Sequence, residues 1–369
     1  MTRSLPGAPD VQVKAPSGWA GRLRSVATKV GLKVIPWVPS RAIRLLAGGR
    51  SVTIDGNTLD PTLQLMLSAQ RAVGVTGLVV DDDPVASRTQ AREIALAFAG
   101  PQVHVGVSEL SIPGPAGEIP ARHYSPATAE PAPLLVYYHG GGWVIGDLDT
   151  HDALCRLTCR DADVHVLSID YRLAPEHPAP AAVDDAYAAF RWAHEHGRDL
   201  GAIPGKVAVG GDSAGGNLAT VVSRLARDDG APLPVLQWLL YPITDLTAQT
   251  RSLTLFADGF VLTKHNMDFF HAQYLDGSGV DRTDPRVSPS LAENLSGLPP
   301  ALIATAGFDP LRDEGEQYAA ALQAAGTAVD LRSMGSLTHA FGNFFQLGGG
   351  SATATTELIS ALRAHLSRV

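Results

Sequence analysis

The chain has 369 residues, of which 45% are hydrophobic and 18% are charged, and its formal net charge is −8. These proportions are ordinary for a globular protein, which argues against a disordered or fibrous chain. No apolar run reaches the roughly 18 residues that a membrane-spanning helix needs, and the acidic balance argues against nucleic-acid binding.

Residues 11–54 stand out by their charge, because they contain eight Lys and Arg residues and no Asp or Glu. We interpret residues 1–100 as an N-terminal cap region whose basic face docks on an acidic core. The alternative is an interfacial segment that contacts anionic lipid. The chain does not start with a basic stretch followed by an uninterrupted apolar core, so no signal peptide is expected. We therefore expect a cytoplasmic protein, with peripheral membrane association as the alternative.

Residues 101–369 carry the pattern of an α/β domain. Two strands near 103–112 and 118–124 flank a Pro- and Gly-rich turn, which predicts an antiparallel pair. Further apolar runs follow, separated by helical patterns, near 134–138, 165–170, 207–210, 237–241, 302–305 and 328–332. This alternation predicts a mostly parallel central sheet with helices on both faces.

A glycine run directly follows the predicted strand near 134–138, in the sequence His139-Gly140-Gly141-Gly142-Trp143. Because side chains do not cover them, the backbone N–H groups of such a run can hold a developing oxyanion. A flexible turn is the alternative. The same chain supplies a nucleophile candidate further on, which favours the oxyanion interpretation.

The two cysteines, Cys155 and Cys159, are four residues apart on a predicted helix. A disulfide between such positions needs distorted geometry, and no second pair completes a zinc pattern. We interpret both as small core residues and predict no metal site. His151, His165 and His177 are interpreted as structural, and Arg172 and Glu176 are expected to form an ion pair with each other.

A G-x-S-x-G sequence, Gly211-Asp212-Ser213-Ala214-Gly215, lies between a short apolar run and a segment with helical spacing. On such a strand–turn–helix the serine hydroxyl is lifted out of the sheet, and small neighbours are required because the turn is tight. Ser213 is therefore the predicted nucleophile.

The order of the chain limits the acid and the base, since both follow the serine in this arrangement. Four histidines do so: His265, His271, His339 and His365. The first two precede the best acid candidate, and His365 lies on an amphipathic C-terminal helix, which leaves His339. Asp309 follows a strong apolar strand and is the predicted acid, with Asp245 as the alternative.

Together, five stretches resemble the hormone-sensitive lipase family of carboxylesterases (bacterial family IV) in the α/β-hydrolase superfamily. They are His139–Trp143, Asp170–Pro178, Gly211–Asn217, Asp309–Gly315 and His339–Phe341. The resemblance implies a catalytic triad of Ser213, Asp309 and His339, with oxyanion donors from the backbone of Gly140, Gly141 and Ala214. One departure is Ala340, where glycine is common, and alanine is tolerated there unless the backbone needs a positive φ.

The family also implies a cap over the active site, formed by the N-terminal region and by an insertion at about residues 244–289. This insertion is rich in aromatic residues, and we predict that Phe256 and Phe260, with Trp143, contact the substrate. A role in the core is the alternative for an aromatic stripe.

The implied function is hydrolysis of short- to medium-chain carboxylic esters through an acyl-enzyme, with no cofactor and a small-molecule ester as the partner. The alternatives are a serine amidase or peptidase, and a lipase for longer acyl lipids. A non-catalytic receptor on the same scaffold would have lost a triad member, and His339 argues against it. A homodimer is compatible with the sequence, which does not determine the oligomeric state.

Overall fold

The computed structural model describes residues 38, 40–72, 74–75, 77–98, 100–128 and 130–369. Most of the basic segment 11–54 lies outside these residues. The predictions that this segment docks on an acidic core, or contacts lipid, therefore lie largely outside the described residues.

The helices and strands alternate along the chain from residue 132 onward. The described α-helices are α1 (Ser40–Leu46), α2 (Pro61–Ala72), α3 (Pro84–Phe98), α4 (Asp152–Ala162), α5 (Ala181–His196), α6 (Ala214–Asp228), α7 (Arg251–Leu255), α8 (Lys264–Leu275), α9 (Arg312–Ala324) and α10 (Gly349–Leu366). The described strands are β1 (Thr53–Ile54), β2 (Asn57–Thr58), β3 (Gly106–Gly114), β4 (Gly117–Ser125), β5 (Ala132–Tyr138), β6 (His165–Ile169), β7 (Ala202–Asp212), β8 (Gln237–Leu240), β9 (Ala301–Phe308) and β10 (Val329–Thr338).

Eight strands form one sheet in the order β10-β9-β8-β7-β5-β6-β4-β3. The pairs from β10 to β6 are parallel, while β3–β4 and β4–β6 are antiparallel. The predicted α/β fold with a mostly parallel sheet is confirmed, and each of the eight predicted strands has its counterpart.

The central strands are buried on both faces, which explains their near-continuous apolar sequences. Every residue of β9 is buried, and two apolar clusters cover the two faces of the sheet. The edge strand β3 is instead mostly exposed.

Strand β10 is longer than the sequence predicts, because it continues beyond Arg332 to Thr338. Its register with β9 shifts between Met334 and Thr338. After this shift Thr338 pairs with Phe308 at the end of β9. His339 therefore lies at the carboxyl edge of the sheet.

The N-terminal helices and the insertion after β8 contact each other. The Arg71 guanidinium donates to the Gly259 carbonyl at 2.8 Å, and the Leu78 N–H donates to Asn266 Oδ1 at 3.1 Å. Asn266 also completes a capping box with Thr263 at the start of α8. In the described part of the chain, no helix is long and apolar enough to span a bilayer.

Candidate active site

Three strands of the sheet end immediately before the predicted catalytic residues. Strand β7 ends at Asp212 and precedes Ser213, β9 ends one residue before Asp309, and β10 ends at Thr338 and precedes His339. Because these strands are parallel, their carboxyl ends meet at one edge, where ligands bind in open α/β sheets.

The side chains of these three residues form a continuous chain of hydrogen-bonding contacts. His339 Nε2 lies 3.0 Å from Ser213 Oγ, and His339 Nδ1 lies 2.8 Å from Asp309 Oδ2. Asp309 is further held by the Leu311 N–H, which donates to its Oδ1 at 2.9 Å. All three side chains are buried. The structure thus brings together the three residues that the sequence predicts.

The turn at Ser213 has an unusual backbone, with φ 55° and ψ −117°. A Cβ on Gly211 or on Gly215 would overlap the carbonyl oxygen of Tyr138 on β5. This close approach of the turn to β5 is the physical reason for the small residues on both sides of the serine.

The alternative acid does not reach the imidazole of His339. Asp245 Oδ1 instead accepts hydrogen bonds from the Thr247 N–H at 2.8 Å and the Thr247 hydroxyl at 2.6 Å. Two of the other candidate bases also lie elsewhere: His265 pairs with Asp82, and His365 pairs with Asp330.

The glycine loop after β5 requires one correction. The Gly140 N–H donates to Asp212 Oδ1 at 2.8 Å, so this amide already has an acceptor and is not free for an oxyanion. Among the described residues, the N–H groups of Gly141, Gly142 and Ala214 have no protein acceptor. Gly141 and Gly142 have φ angles of +121° and +60°, in the region that favours glycine, and both residues line the cavity over Ser213.

A cavity of about 550 Å³ opens over Ser213 and His339. Its walls come from the glycine loop, from the N-terminal helix α3 and from α8 of the insertion. Several of the side chains that line it are apolar and could contact an acyl chain. They include Ile94, Phe98, Ile243, Leu262, Met267 and Phe270. Apolar walls with few polar groups are typical of small-molecule sites.

The predicted substrate contacts at Trp143, Phe256 and Phe260 are wrong, because none of these residues lines the cavity. The Trp143 ring stacks on Tyr274 with centroids 4.3 Å apart and is fully buried. Phe256 and Phe260 pack against Phe308 in the core. These two rings belong to the core, and Phe270 is the aromatic residue of the insertion that lines the cavity.

The predicted ion pair between Arg172 and Glu176 is also wrong. Arg172 Nη2 binds Asp185 Oδ1 on α5 at 2.8 Å, and Glu176 Oε2 binds Arg88 on α3 at 2.6 Å. The two ion pairs therefore hold the loop at residues 172–176 against two different helices, α5 and α3.

His271 is a wall residue that the sequence did not single out for binding. It is buried, it lines the cavity, and its Nε2 has no hydrogen-bond partner among the described residues. Burial, with a smaller effect from the Arg282 charge, lowers the pKa of His271 to about 4, so the ring is neutral near pH 7.

Asp212 and His151 form a buried pair beside the nucleophile that sequence reasoning missed. His151 Nε2 lies 3.2 Å from Asp212 Oδ1. The signal in the sequence is the charged residue inside a G-x-S-x-G turn whose other residues are small, since an unpaired buried carboxylate is costly.

The two cysteines are free and buried, as expected for core residues. No cluster of three or more potential metal ligands occurs among the residues that the structure describes.

Comparison with known families and structures gives the relationship of the chain. The family model described as alpha/beta hydrolase fold matches residues 135–343, which is more than half of the chain. The chain therefore belongs to this family, as its motifs predict.

Several named relatives of the chain are ester hydrolases. The chain is 70% identical to the carboxylic ester hydrolase LipN of Mycobacterium tuberculosis, with 100% of each chain covered. It is 38% identical to the ethyl acetate hydrolase of Pseudomonas putida, over 70% of this chain and 83% of that protein. Among solved structures, the Pyrobaculum calidifontis esterase matches with a TM-score of 0.76 at 38% identity, covering 83% of this chain and 98% of that one.

Proposed function

We propose that this member of the alpha/beta hydrolase family is a serine carboxylic ester hydrolase whose triad is Ser213, His339 and Asp309. The observation that carries the proposal is the pair of contacts at His339, 3.0 Å to Ser213 Oγ and 2.8 Å to Asp309 Oδ2. They lie at the base of an apolar cavity, and relatives with high identity are ester hydrolases.

The proposed reaction follows from these contacts. As Ser213 Oγ attacks the ester carbonyl, His339 Nε2 takes the hydroxyl proton, and Asp309 holds the Nδ1–H and stabilises the imidazolium. His339 returns the proton to the leaving alcohol, which leaves the acyl group on Ser213. Water then attacks the acyl-enzyme with His339 again as the base. The bond from the acyl carbon to Ser213 Oγ breaks, and His339 returns the proton to Oγ as the carboxylic acid is released. These steps need no metal and no organic cofactor.

The proposed oxyanion donors are the backbone N–H groups of Gly141, Gly142 and Ala214. Each lacks a protein acceptor in the described part of the chain, whereas the Gly140 N–H is held by Asp212. Donors fixed in advance stabilise the tetrahedral intermediate by about 3 to 4 kcal/mol each in comparable enzymes.

The size of the cavity supports a preference for short to medium acyl chains. A bounded pocket of about 550 Å³ encloses most of a small ester but not a long lipid. We expect the best turnover on acyl groups of roughly two to eight carbons. The similarity to an ethyl acetate hydrolase supports the short end of this range.

The contacts of Arg71 and Leu78 with the insertion after β8 support a cap built from residues 1–100 and about 244–289 on a catalytic domain of residues 101–369.

Lipid contact through the basic segment 11–54 is the alternative role for that segment. Neutralising Arg22, Arg24, Lys29 and Lys33 would then weaken binding to anionic vesicles by roughly 1 kcal/mol per charge. Wild-type protein that does not sediment with vesicles at low salt would leave only the cap. Light scattering of the same sample decides between a monomer and a homodimer.

The test of the triad is a set of matched substitutions assayed on p-nitrophenyl butyrate. We expect Ser213→Ala to abolish turnover and Asp309→Asn to lower kcat by roughly three to four orders of magnitude, because the imidazole tautomer is then wrong. Asp245→Asn is the control for the acid and should retain activity within about threefold, since among the described residues its carboxylate hydrogen-bonds to Thr247 and not to His339. Greater damage from Asp245→Asn than from Asp309→Asn would refute the assignment.

An amidase on the same triad is separated by its leaving group. Hydrolysis of p-nitrophenyl butyrate should be much faster than hydrolysis of butyryl p-nitroanilide. The same assay across acyl chains of two to sixteen carbons separates an esterase from a lipase for long chains. Comparable rates on ester and anilide would favour the amidase.

A further inference from the structure

Asp212, the residue before the nucleophile, is a buried carboxylate held by four groups. The Tyr137 hydroxyl donates to Oδ1 at 2.7 Å, and the Gly140 N–H donates to the same oxygen at 2.8 Å. Asn343 Nδ2 donates to Oδ2 at 3.1 Å, and His151 Nε2 lies 3.2 Å from Oδ1. Through Gly140, this carboxylate fixes the start of the glycine loop.

The surroundings of His151 determine its charge. Its Nδ1 lies 2.9 Å from Thr150 Oγ1, and this hydroxyl can donate its own hydrogen to the Asp147 carbonyl oxygen at 2.8 Å. The hydroxyl oxygen already accepts from the Asp147 N–H at 2.8 Å, and its second lone pair can accept from Nδ1–H. Nε2 lies 3.2 Å from Asp212 Oδ1, and the Asn343 amide nitrogen, 3.4 Å from Nε2, donates to Oδ2 of the same carboxylate. The nearest hydrogen-bonding group to each ring nitrogen is therefore an acceptor. Such a ring carries a proton on each nitrogen and is an imidazolium.

The opposing influences on this ring agree with that charge. Burial lowers the pKa of His151, but the charge of Asp212 and its hydrogen bond outweigh burial and raise the pKa above its ordinary value. Burial also favours the neutral form of Asp212, whereas the His151 charge and the hydrogen bonds keep the pKa of Asp212 well below its usual range.

The other titratable groups around His151 do not replace it as the counter-charge. His139 lies 5.5 Å away between ring centroids, and burial lowers its pKa to about 4, so it is neutral near pH 7. Burial raises the pKa of Tyr137 far above neutrality, so it is neutral as well. Asp147 carries the same sign as Asp212 and pairs with Arg92.

An uncompensated carboxylate at position 212 would oppose the proposed reaction. The oxyanion of ester hydrolysis develops beside the glycine loop, and two negative charges in a buried site of low dielectric repel strongly. A carboxylate without its partner would also draw in water or move, and the Gly140 amide would move with it.

We propose that His151 is a positioning residue for the ester hydrolysis: as an imidazolium it neutralises Asp212 and holds this carboxylate and the glycine loop in the geometry that binds the oxyanion. The inference rests on the proposed function. It predicts that His151 sets the alkaline limb of the pH profile, since its deprotonation leaves Asp212 uncompensated. The base of the reaction is a different residue, His339.

The test compares His151→Gln, Asp212→Asn and the double variant on p-nitrophenyl acetate, with exposed His177→Gln as the control. We expect H151Q to lower kcat by roughly 100-fold, the size of a lost oxyanion contact, while KM changes less than about threefold. H151Q should lose the alkaline limb. The double variant H151Q/D212N, which has neither charge, should recover at least about tenfold over H151Q, because the repulsion is gone. H177Q should match the wild type.

A kcat of H151Q within about threefold of wild type, a retained alkaline limb, or a double variant no better than H151Q would each overturn the proposal. If H151Q does not fold, D212N alone is informative: His151 loses its counter-charge, so the alkaline limb should move to lower pH, and an unmoved limb would overturn the proposal. Failure of the proposed function is distinguishable, because the wild type would then not hydrolyse the ester and a phosphonate would not label Ser213.

Discussion

The ring of Phe270 lies directly against the Cα of Gly142, so that a Cβ at position 142 would overlap the ring atoms Cγ and Cδ2. Gly142 belongs to the glycine loop, and Phe270 lies on α8 and lines the cavity. This contact joins the proposed oxyanion donors to a cavity wall from a different part of the chain. A side chain at position 142 must therefore displace one of them.

We predict that Gly142→Ala lowers kcat/KM by roughly 10- to 100-fold, because the loop moves away from the ring and misplaces its N–H groups. Steady-state kinetics on p-nitrophenyl butyrate measure this. Adding Phe270→Ala to the same chain removes Cγ and Cδ2 and should restore part of the loss. A double variant as poor as Gly142→Ala alone would show that the overlap with Phe270 is not the cause.

Ala340 has φ +61°, in the left-handed region that favours glycine. The condition under which alanine is costly here is therefore met, and we predict that Ala340→Gly does not destabilise the protein and stabilises it by up to about 1 kcal/mol. Urea denaturation measures the free energy of unfolding.

The matched control is Ala320→Gly, the same change at an exposed position within α9. There the backbone is helical, so glycine should destabilise by about 0.5 to 1 kcal/mol. Equal destabilisation by the two substitutions would mean that the backbone at Ala340 is not strained.

Glu314 is a buried acid that accepts hydrogen bonds from the backbone N–H groups of Thr244, at 2.7 Å, and Asp245, at 3.3 Å. Burial raises the pKa of Glu314 to about 8 in the folded protein, from an ordinary value of 4.5. Between these values the unfolded chain is ionised at this position while the folded chain keeps its proton. Raising the pH therefore favours unfolding in this range.

We predict that the wild-type free energy of unfolding falls by on the order of a few kcal/mol between about pH 5 and pH 8 through this group. Glu314→Gln should flatten that decline, because an amide does not titrate. Exposed Glu195→Gln is the control and should leave the decline unchanged. Denaturation curves at half-unit pH steps measure it, and parallel profiles for wild type and Glu314→Gln would contradict the assignment.

His271 lines the cavity with a buried nitrogen that has no partner in the described part of the chain. Its folded pKa of about 4 lies below the ordinary 6.5, so the unfolded chain takes up a proton first as the pH falls. Stability from this site is complete above about pH 6.5 and is lost as the pH falls towards 4.

We predict that His271→Phe removes this acid sensitivity and stabilises the protein by about 1 kcal/mol at neutral pH, since an unsatisfied buried group is replaced by an apolar ring. Thermal unfolding at pH 5 and pH 7.5 measures both effects. The same change at exposed His265 on α8 should leave the acid sensitivity in place. If His271→Phe instead destabilises at both pH values, a buried water or a required shape at this wall is the better explanation.

Ser213 and Asp309 were predictable because each follows a strand with a near-continuous apolar sequence, and His339 was predictable because the order of the chain excludes its rivals. The glycine run and the G-x-S-x-G turn are local signals too, since the turn's close approach to Tyr138 leaves no room for side chains. The eight strands of the sheet were predictable for the same reason. Their ends were less so, as β10 shows, because irregular pairing is not encoded in a local pattern.

The cavity wall was not predictable from the sequence. The spacing of the aromatic residues in the insertion does not distinguish those that face the cavity from those in the core. The packing of α8 determines that Phe270 lines the cavity, while Phe256 packs on Phe308. The acceptor of the Gly140 N–H is a side chain 72 residues away. The partner of Arg172 is likewise not its neighbour in the loop, Glu176, but Asp185 on α5.

The cavity described above draws its outer walls from α3 and α8, while its reacting groups stand on the ends of β7, β9 and β10. Mutational libraries can therefore be confined to one set of positions. Varying Ile94 and Phe98 together with Met267 would reshape the volume available to the acyl chain while the strand ends stay untouched. Directed evolution at these positions can therefore change the substrate range of the protein while the residues that carry out the reaction stay constant.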